Sequence, residues 1–136
     1  MGSGANRQPP SAVVAAGDEE TRVLLRGLLR LHHFRVDGEA EGAPQALDLI
    51  RTHHPGLLIS DVNLATGSPA TLVADARAID RSLRIVLVAP ASRPPPAMGV
   101  QGPDVVLLRP FRIRQFAEAI APPTTTANET VSPSSA

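Results

Sequence analysis

The sequence predicts an α/β fold, a parallel sheet with helices on both of its faces. Two observations carry this. Short apolar runs alternate along the chain with segments of helical period, the pattern of strands joined by crossover helices. The runs are also continuously apolar, with no in–out alternation, as in strands covered on both faces.

Each element can be placed in order. Ala12 to Ala16 (AVVAA), bounded by Gly17 and Asp18, reads as a buried strand. Asp18 caps the helix that follows, whose Thr21, Leu24, Leu25, Leu28 and Leu29 fall on one face while Arg22, Arg26 and Arg30 fall elsewhere. Phe34 to Val36 is a weak strand. Ala43 to His53 is a helix with Pro44 in its first turn and Ala46, Leu47 and Ile50 inward. Leu57 to Ser60 (LLIS) is the clearest buried strand and ends at Asp61. Pro69 to Ala78 is a helix with Leu72, Val73 and Ala76 on one side. Arg84 to Ala89 and Val105 to Leu108 are the last strands, and Ile113 to Ile120 is the closing helix. Between the last two strands stand Pro94, Pro95 and Pro96, which lack donors and clash with a preceding turn. A helix there shrinks to about one turn after Pro96 or is absent.

The chain has 136 residues, 43% of them hydrophobic, enough for one domain with a real core. That domain is expected over residues 11–121. Residues 1–10 read as a disordered lead and residues 122–136, PPTTTANETVSPSSA, as a disordered tail without hydrophobic period. The formal net charge of zero argues against nucleic-acid or anionic-membrane partners. All thirteen basic residues are Arg, a bias that makes an Arg in place of Lys less informative. The absence of cysteine excludes disulfides and thiolate metal sites. No apolar run is long enough to span a bilayer, and MGSGANRQPP lacks the apolar stretch of a signal peptide, so a cytoplasmic protein is expected. The sequon at Asn128-Glu129-Thr130 is then a chance match. His32-His33 and His53-His54 lie late in helices, where His suits the dipole, and adjacent helical residues diverge too far to chelate.

In a parallel sheet of this kind, sites gather at the carboxyl ends of the strands. Gly17-Asp18, Asp61 and Ala89 lie there. From Ser11 to Ala121 the chain resembles the receiver domain of two-component response regulators. The resemblance rests on LLISD ending at Asp61, on Arg109-Pro110-Phe111, on the 48 residues between Asp61 and Arg109, on Arg22 with Leu25 and Leu29, and on Gly102-Pro103-Asp104. It implies a flavodoxin-like (CheY-like), doubly wound five-stranded sheet in the order 2-1-3-4-5. It implies that Asp61 is the phospho-acceptor, served by a histidine kinase or phosphotransfer protein, and that the Arg109–Pro110 bond is cis. It also implies a Mg²⁺ ion held by Asp61, by the backbone carbonyl of Asn63 and by two acids after the first strand, with a Ser or Thr and a Lys nearby to neutralise the phosphoryl oxygens.

The chain departs from that pattern at most supporting positions. The two acids fall on Ala16 and Gly17, which offer no ligand. Asp18 lies one residue late; its plainer role is the helix cap, with a water-mediated approach to the ion as the alternative. The Ser/Thr position is Ala89, the Lys position is Arg109, the usual Pro after the acceptor is Ala65, and the aromatic of the last strand is Val106. Arg109 is the mildest change, since guanidinium pairs with phosphate or with the acceptor itself. At about 4 Å each missing unit charge is worth roughly 4 kcal/mol at an effective dielectric near 20, so Mg²⁺ is expected to bind weakly. Arg109 is expected to point at Asp61 and lower its pKa. No catalytic His, nucleophile elbow or phosphate loop argues for an enzyme. Two readings remain: a single-domain response regulator phosphorylated at Asp61 in a phosphorelay, and a pseudo-receiver, a protein-interaction module that works without phosphorylation.

Overall fold

The structure, a computed structural model, describes residues 9–95 and 102–121. In chain order the elements are β1 (Ser11–Ala15), α1 (Glu19–Leu31), β2 (Arg35–Ala40), α2 (Ala43–His53), β3 (Leu57–Asp61), α3 (Pro69–Ile79), β4 (Arg84–Pro90), β5 (Val105–Arg109) and α4 (Ile113–Ile120). The strands form one five-stranded sheet in the order β2-β1-β3-β4-β5, every pairing parallel. The predicted class and strand order are those observed.

Apolar runs make this sheet because both of its faces are covered. Val13, Ala15, Leu58, Ile85 and Leu87 point to the side where α2 and α3 bring Ala46, Leu47, Ile50, Leu72, Val73 and Ala76. Ala12, Val14, Leu57, Ile59, Val86, Val88 and Leu107 point to the other, under Leu25 and Leu29 of α1 and Phe116, Ala119 and Ile120 of α4. Burial of these side chains is the main stabilising term, at about 25 cal/mol per Å² of apolar surface. The parallel register also fixes the site: Asp61 lies opposite Val88, and Arg109 opposite Pro90.

Three local expectations need correction. The second strand is longer than its apolar part, running to Ala40 through Asp37, Gly38 and Glu39. It is an edge strand, so polar side chains are tolerated there, and Asp37 and Glu39 pair with Arg35 and Arg26. On α1 only Leu25 and Leu29 are buried, whereas Leu24 is 49% exposed. The His pairs end their helices rather than lying inside them. His33 (φ 68°) and His54 (φ 49°) take the left-handed conformation just beyond α1 and α2.

Between β4 and β5, residues 91–95 form turns and irregular chain, so no helix begins there. Residues 96–101, where a single turn was the alternative, lie outside the described residues, as do 1–8 and 122–136 of the expected lead and tail. Arg77 of α3 holds the far side of this connection. Its guanidinium donates to the carbonyls of Leu83 and Gly102 and to Asp104 Oδ2 (2.8 Å), which in turn accepts from the Ile85 amide (2.7 Å). Among the described residues no helix is long and apolar enough to cross a membrane.

Candidate functional site

The carboxyl edge of the sheet brings Asp61 and Arg109 together. Asp61 ends β3 and is 1% exposed. Its Oδ1 lies 3.3 Å from Nη2 of Arg109, which ends β5. Sheet register rather than loop geometry sets this approach, because both residues close strands that flank β4. The Arg109–Pro110 bond is cis. Asp61 Oδ1 makes no hydrogen bond within the described chain, so the contact is an ion pair without an aligned donor.

Burial pushes the Asp61 carboxyl above its ordinary value. The Arg109 charge is the largest opposing influence, followed by the amides of Val62 and Asn63, while Asp18 adds a smaller repulsion. Arg109 lowers it, as expected, but burial is the larger influence and the net direction is upward. The guanidinium does favour the anion, but it is one partly solvated cation against the loss of nearly all the solvent around the carboxylate.

The opposite half of the edge is made of backbone. Ala16 is fully buried and brings no ligand. The Gly17 amide donates to the Asn63 carbonyl (2.8 Å), the Ala65 amide to the Glu41 carbonyl (2.8 Å) and the Ala43 amide to the Thr66 carbonyl (2.9 Å). These bonds strap the loop after β3 across the ends of β1 and β2. The strap needs small residues beneath it. A Cβ at Gly17 would lie 2.9 Å from the Ala65 nitrogen and 3.2 Å from the Asn63 oxygen. At Gly42 it would meet the Thr66 hydroxyl at 2.0 Å.

The other site candidates are accounted for. Asp18 caps α1: its Oδ2 accepts from the Thr21 amide (3.0 Å) and the Thr21 hydroxyl (3.1 Å). Ala89 is fully buried beside Leu108, and its methyl offers no donor. Val106 is 42% exposed. Sequence reasoning missed two contributors. Arg22 donates to the Ala16 carbonyl (2.7 Å) and stands 4.0 Å from both Glu39 and Glu41, placing a fixed cation at the end of β1. The strap was missed because its bonds join backbone atoms; the glycines at 17 and 42 were its only signal.

A divalent cation does not fit these residues. The positions expected to carry acids hold Ala16 and Gly17, and both Asp18 contacts are those of a helix cap. Among the described residues no three acidic or His side chains converge as a metal set.

Fold and edge together define the class: a flavodoxin-like (CheY-like) fold with a buried aspartate, Asp61, paired with Arg109 at the carboxyl edge of its sheet. No family model matches the chain. It is similar to the chemotaxis protein CheY of Bacillus subtilis, 26% identical over 108 residues that cover 73% of this chain and 84% of that protein. Among solved structures, the signal receiver domain of the putative response regulator NarL from Mycobacterium tuberculosis matches with a TM-score of 0.73 and 24% identity, covering 84% of this chain and 94% of that one. A CheY-like response regulator receiver domain from Methylobacillus flagellatus matches with a TM-score of 0.72 and 19% identity, over 82% and 95% of the two chains. The resemblance to response-regulator receiver domains holds over most of the chain.

Proposed function

We propose that this domain, spanning residues 11–121, is a cytoplasmic signalling module that acts through protein–protein contact without phosphorylation at Asp61. Of the two readings open from sequence, the geometry favours the pseudo-receiver. The observation that carries it is the lack of carboxylates after β1: Ala16 and Gly17 stand there, and Asp18 Oδ2 is held by the Thr21 amide at 3.0 Å as a helix cap. A phosphodonor would bring negative charge to a buried carboxylate with Arg109 as the one cation paired with it among the described residues, and Ala89 supplies no hydrogen bond to an equatorial oxygen. The domain is therefore read as a non-enzymatic partner of another signalling protein. A histidine kinase or phosphotransfer protein remains the partner under the phosphorelay reading, which the Asp61–Arg109 pair favours.

Intact-mass measurement after incubation with acetyl phosphate and Mg²⁺ tests this. The expected result is no phosphoryl adduct on the wild type under conditions that label an intact receiver. An adduct on the wild type that disappears in Asp61→Asn would overturn the proposal and establish Asp61 as acceptor.

A further inference from the structure

The sheet has two edges, β2 and β5, and the chain blunts only one of them. An edge strand presents unpaired amides and carbonyls to any strand that meets it, and charges or a bulge are the usual protection. β2 carries both. Ala12 lies opposite Val36 and Val13 opposite Gly38, so Asp37 is an extra residue with no partner on β1. Arg35, Asp37 and Glu39 set charge along the same strand. β5 carries neither device. Its register with β4 runs unbroken from Val105 to Arg109. Its residues before Arg109 are all apolar, and Arg109 itself is drawn to Asp61. Asp104, just before the strand, is drawn to Arg77. Among the described residues β4 is the only strand beside β5.

The open edge has a definite pattern. The Arg109 carbonyl accepts from the Ala91 amide, on the side of β4. Backbone direction alternates along a strand, so Leu107 and Val105 also turn to β4, whereas Leu108 and Val106 turn their amides and carbonyls outward. No loop bond among the described residues engages these outward groups. The same two residues have the exposed side chains, at 38% for Leu108 and 42% for Val106, and being two apart they share one face of the sheet.

The strand that fits this pattern is β5 of a second copy, turned end for end. In an antiparallel pair about a twofold axis at Leu107, Val106 of each copy lies opposite Leu108 of the other, and Val105 opposite Arg109. Each Val106–Leu108 pair then exchanges both of its backbone hydrogen bonds, so every outward group of the two residues is used. Their exposed side chains meet on one face as direct cross-strand neighbours. Pairing stops where Pro110, which has no amide hydrogen, comes opposite Asp104. The strand is thus complementary to itself in hydrogen bonding, in side chains and in length.

We infer that β5 is a homodimerisation edge, along which two copies join antiparallel about Leu107 into one continuous sheet. The pairing requires no change at Asp61. Its failure would leave the reading without phosphorylation standing, and the failure of that reading would leave the dimer standing.

Sedimentation velocity and amide hydrogen exchange on the full chain, from low micromolar to submillimolar concentration and without phosphodonor, test it together. The wild type should dimerise as concentration rises, and the Val106 and Leu108 amides should gain protection over the same range. The Val105 and Leu107 amides, already turned to β4, should not change. Val106→Lys and Leu108→Glu should each weaken the dimer by at least about tenfold, through loss of both cross-strand apolar pairs. Neither should unfold the dilute protein, because both side chains are exposed. The double variant should recover the dimer, since the antiparallel register sets each Lys against a Glu of the other copy. A protein that stays monomeric throughout would overturn the inference. So would a dimer whose 106 and 108 amides exchange at one rate at every concentration, or a double variant that dimerises no better than either single one.

Discussion

The two halves of the sheet's carboxyl edge are built differently. At the ends of β3 and β5, Asp61 and Arg109 face one another at 3.3 Å. At the ends of β1 and β2, the space is taken by the chain's own amides and carbonyls, bonded at 2.8 to 2.9 Å. The first half is positioned by strand pairing that the hydrophobic core requires in any case, so its geometry persists whatever chemistry is done there. The second half depends on side chains that contribute nothing to the core. Once Ala16 and Gly17 stand there, backbone can close over the space, and every bond in the strap satisfies an otherwise unpaired polar group.

The strapped half should be the more fragile. Gly17→Ala places a methyl against backbone atoms of Asn63, Leu64 and Ala65, none of which can rotate away. It is expected to destabilise the fold by about 3 kcal/mol, the upper range for overpacking a tight contact, in urea unfolding. The same crowding means that the double change Ala16→Asp with Gly17→Asp should not restore a cation site simply by adding carboxylates. A stable double mutant that binds Mg²⁺ tightly would show the strap to be easily displaced.

The paired half should respond mainly to pH. Arg109→Ala leaves a buried carboxylate without its cation and should cost about 2 kcal/mol near neutral pH, discounted from the full cost of breaking a buried pair because Arg109 is 29% exposed. Because burial raises the Asp61 carboxyl above 3.8, its penalty on folding sets in as pH rises through that unfolded value and is complete once pH exceeds the folded value. The loss on Arg109→Ala should therefore shrink as pH falls and Asp61 is protonated in the folded state. Asp61→Asn should act in the other direction, stabilising at neutral pH by about 1 kcal/mol, the low end for a buried unsatisfied group. That gain should vanish below about the unfolded carboxyl value of 3.8. Denaturant unfolding of both variants across this range checks the sign.

The sequence made the sheet legible because its inner strands hold unbroken apolar runs, LLI within LLISD and IVLVA within RIVLVAP, of the kind a sheet covered on both faces requires. It under-read β2, where Asp37 and Glu39 look like loop until their Arg partners are seen. It misassigned Leu24 because α1 has leucines at 24, 25, 28 and 29, and a helical period alone does not choose between adjacent leucines. In the site, the pairing of Asp61 with Arg109 was expected from what the resemblance to receiver domains implies for those two positions. The resemblance did not reveal that burial outweighs that pairing on the Asp61 carboxyl, since solvent exclusion depends on all the surrounding elements. The strap left little trace in sequence because backbone hydrogen bonds do not depend on side-chain identity.

Asp18 offers the smallest and sharpest test between the two halves. As a cap it satisfies one amide at the start of α1, through an Oδ2 that is 3.0 Å from the Thr21 nitrogen. Asp18→Ala should then cost about 0.5–1 kcal/mol, the usual value of a helix N-cap, and Asp18→Ser should recover most of it because a hydroxyl can accept the same bond. Neither change should alter the response of the unfolding midpoint to added Mg²⁺. A ligand role predicts the reverse order of effects. Any Mg²⁺-dependent stabilisation of the wild type would disappear in Asp18→Ala, and Asp18→Ser would not recover it, because a neutral hydroxyl lacks the charge on which a Mg²⁺ site depends. Thermal unfolding of the three proteins with and without Mg²⁺ separates the two roles. If Asp18→Ser keeps the stability but loses a Mg²⁺ response present in the wild type, then the strapped half still admits a cation, and the contrast between the two halves would have to be redrawn.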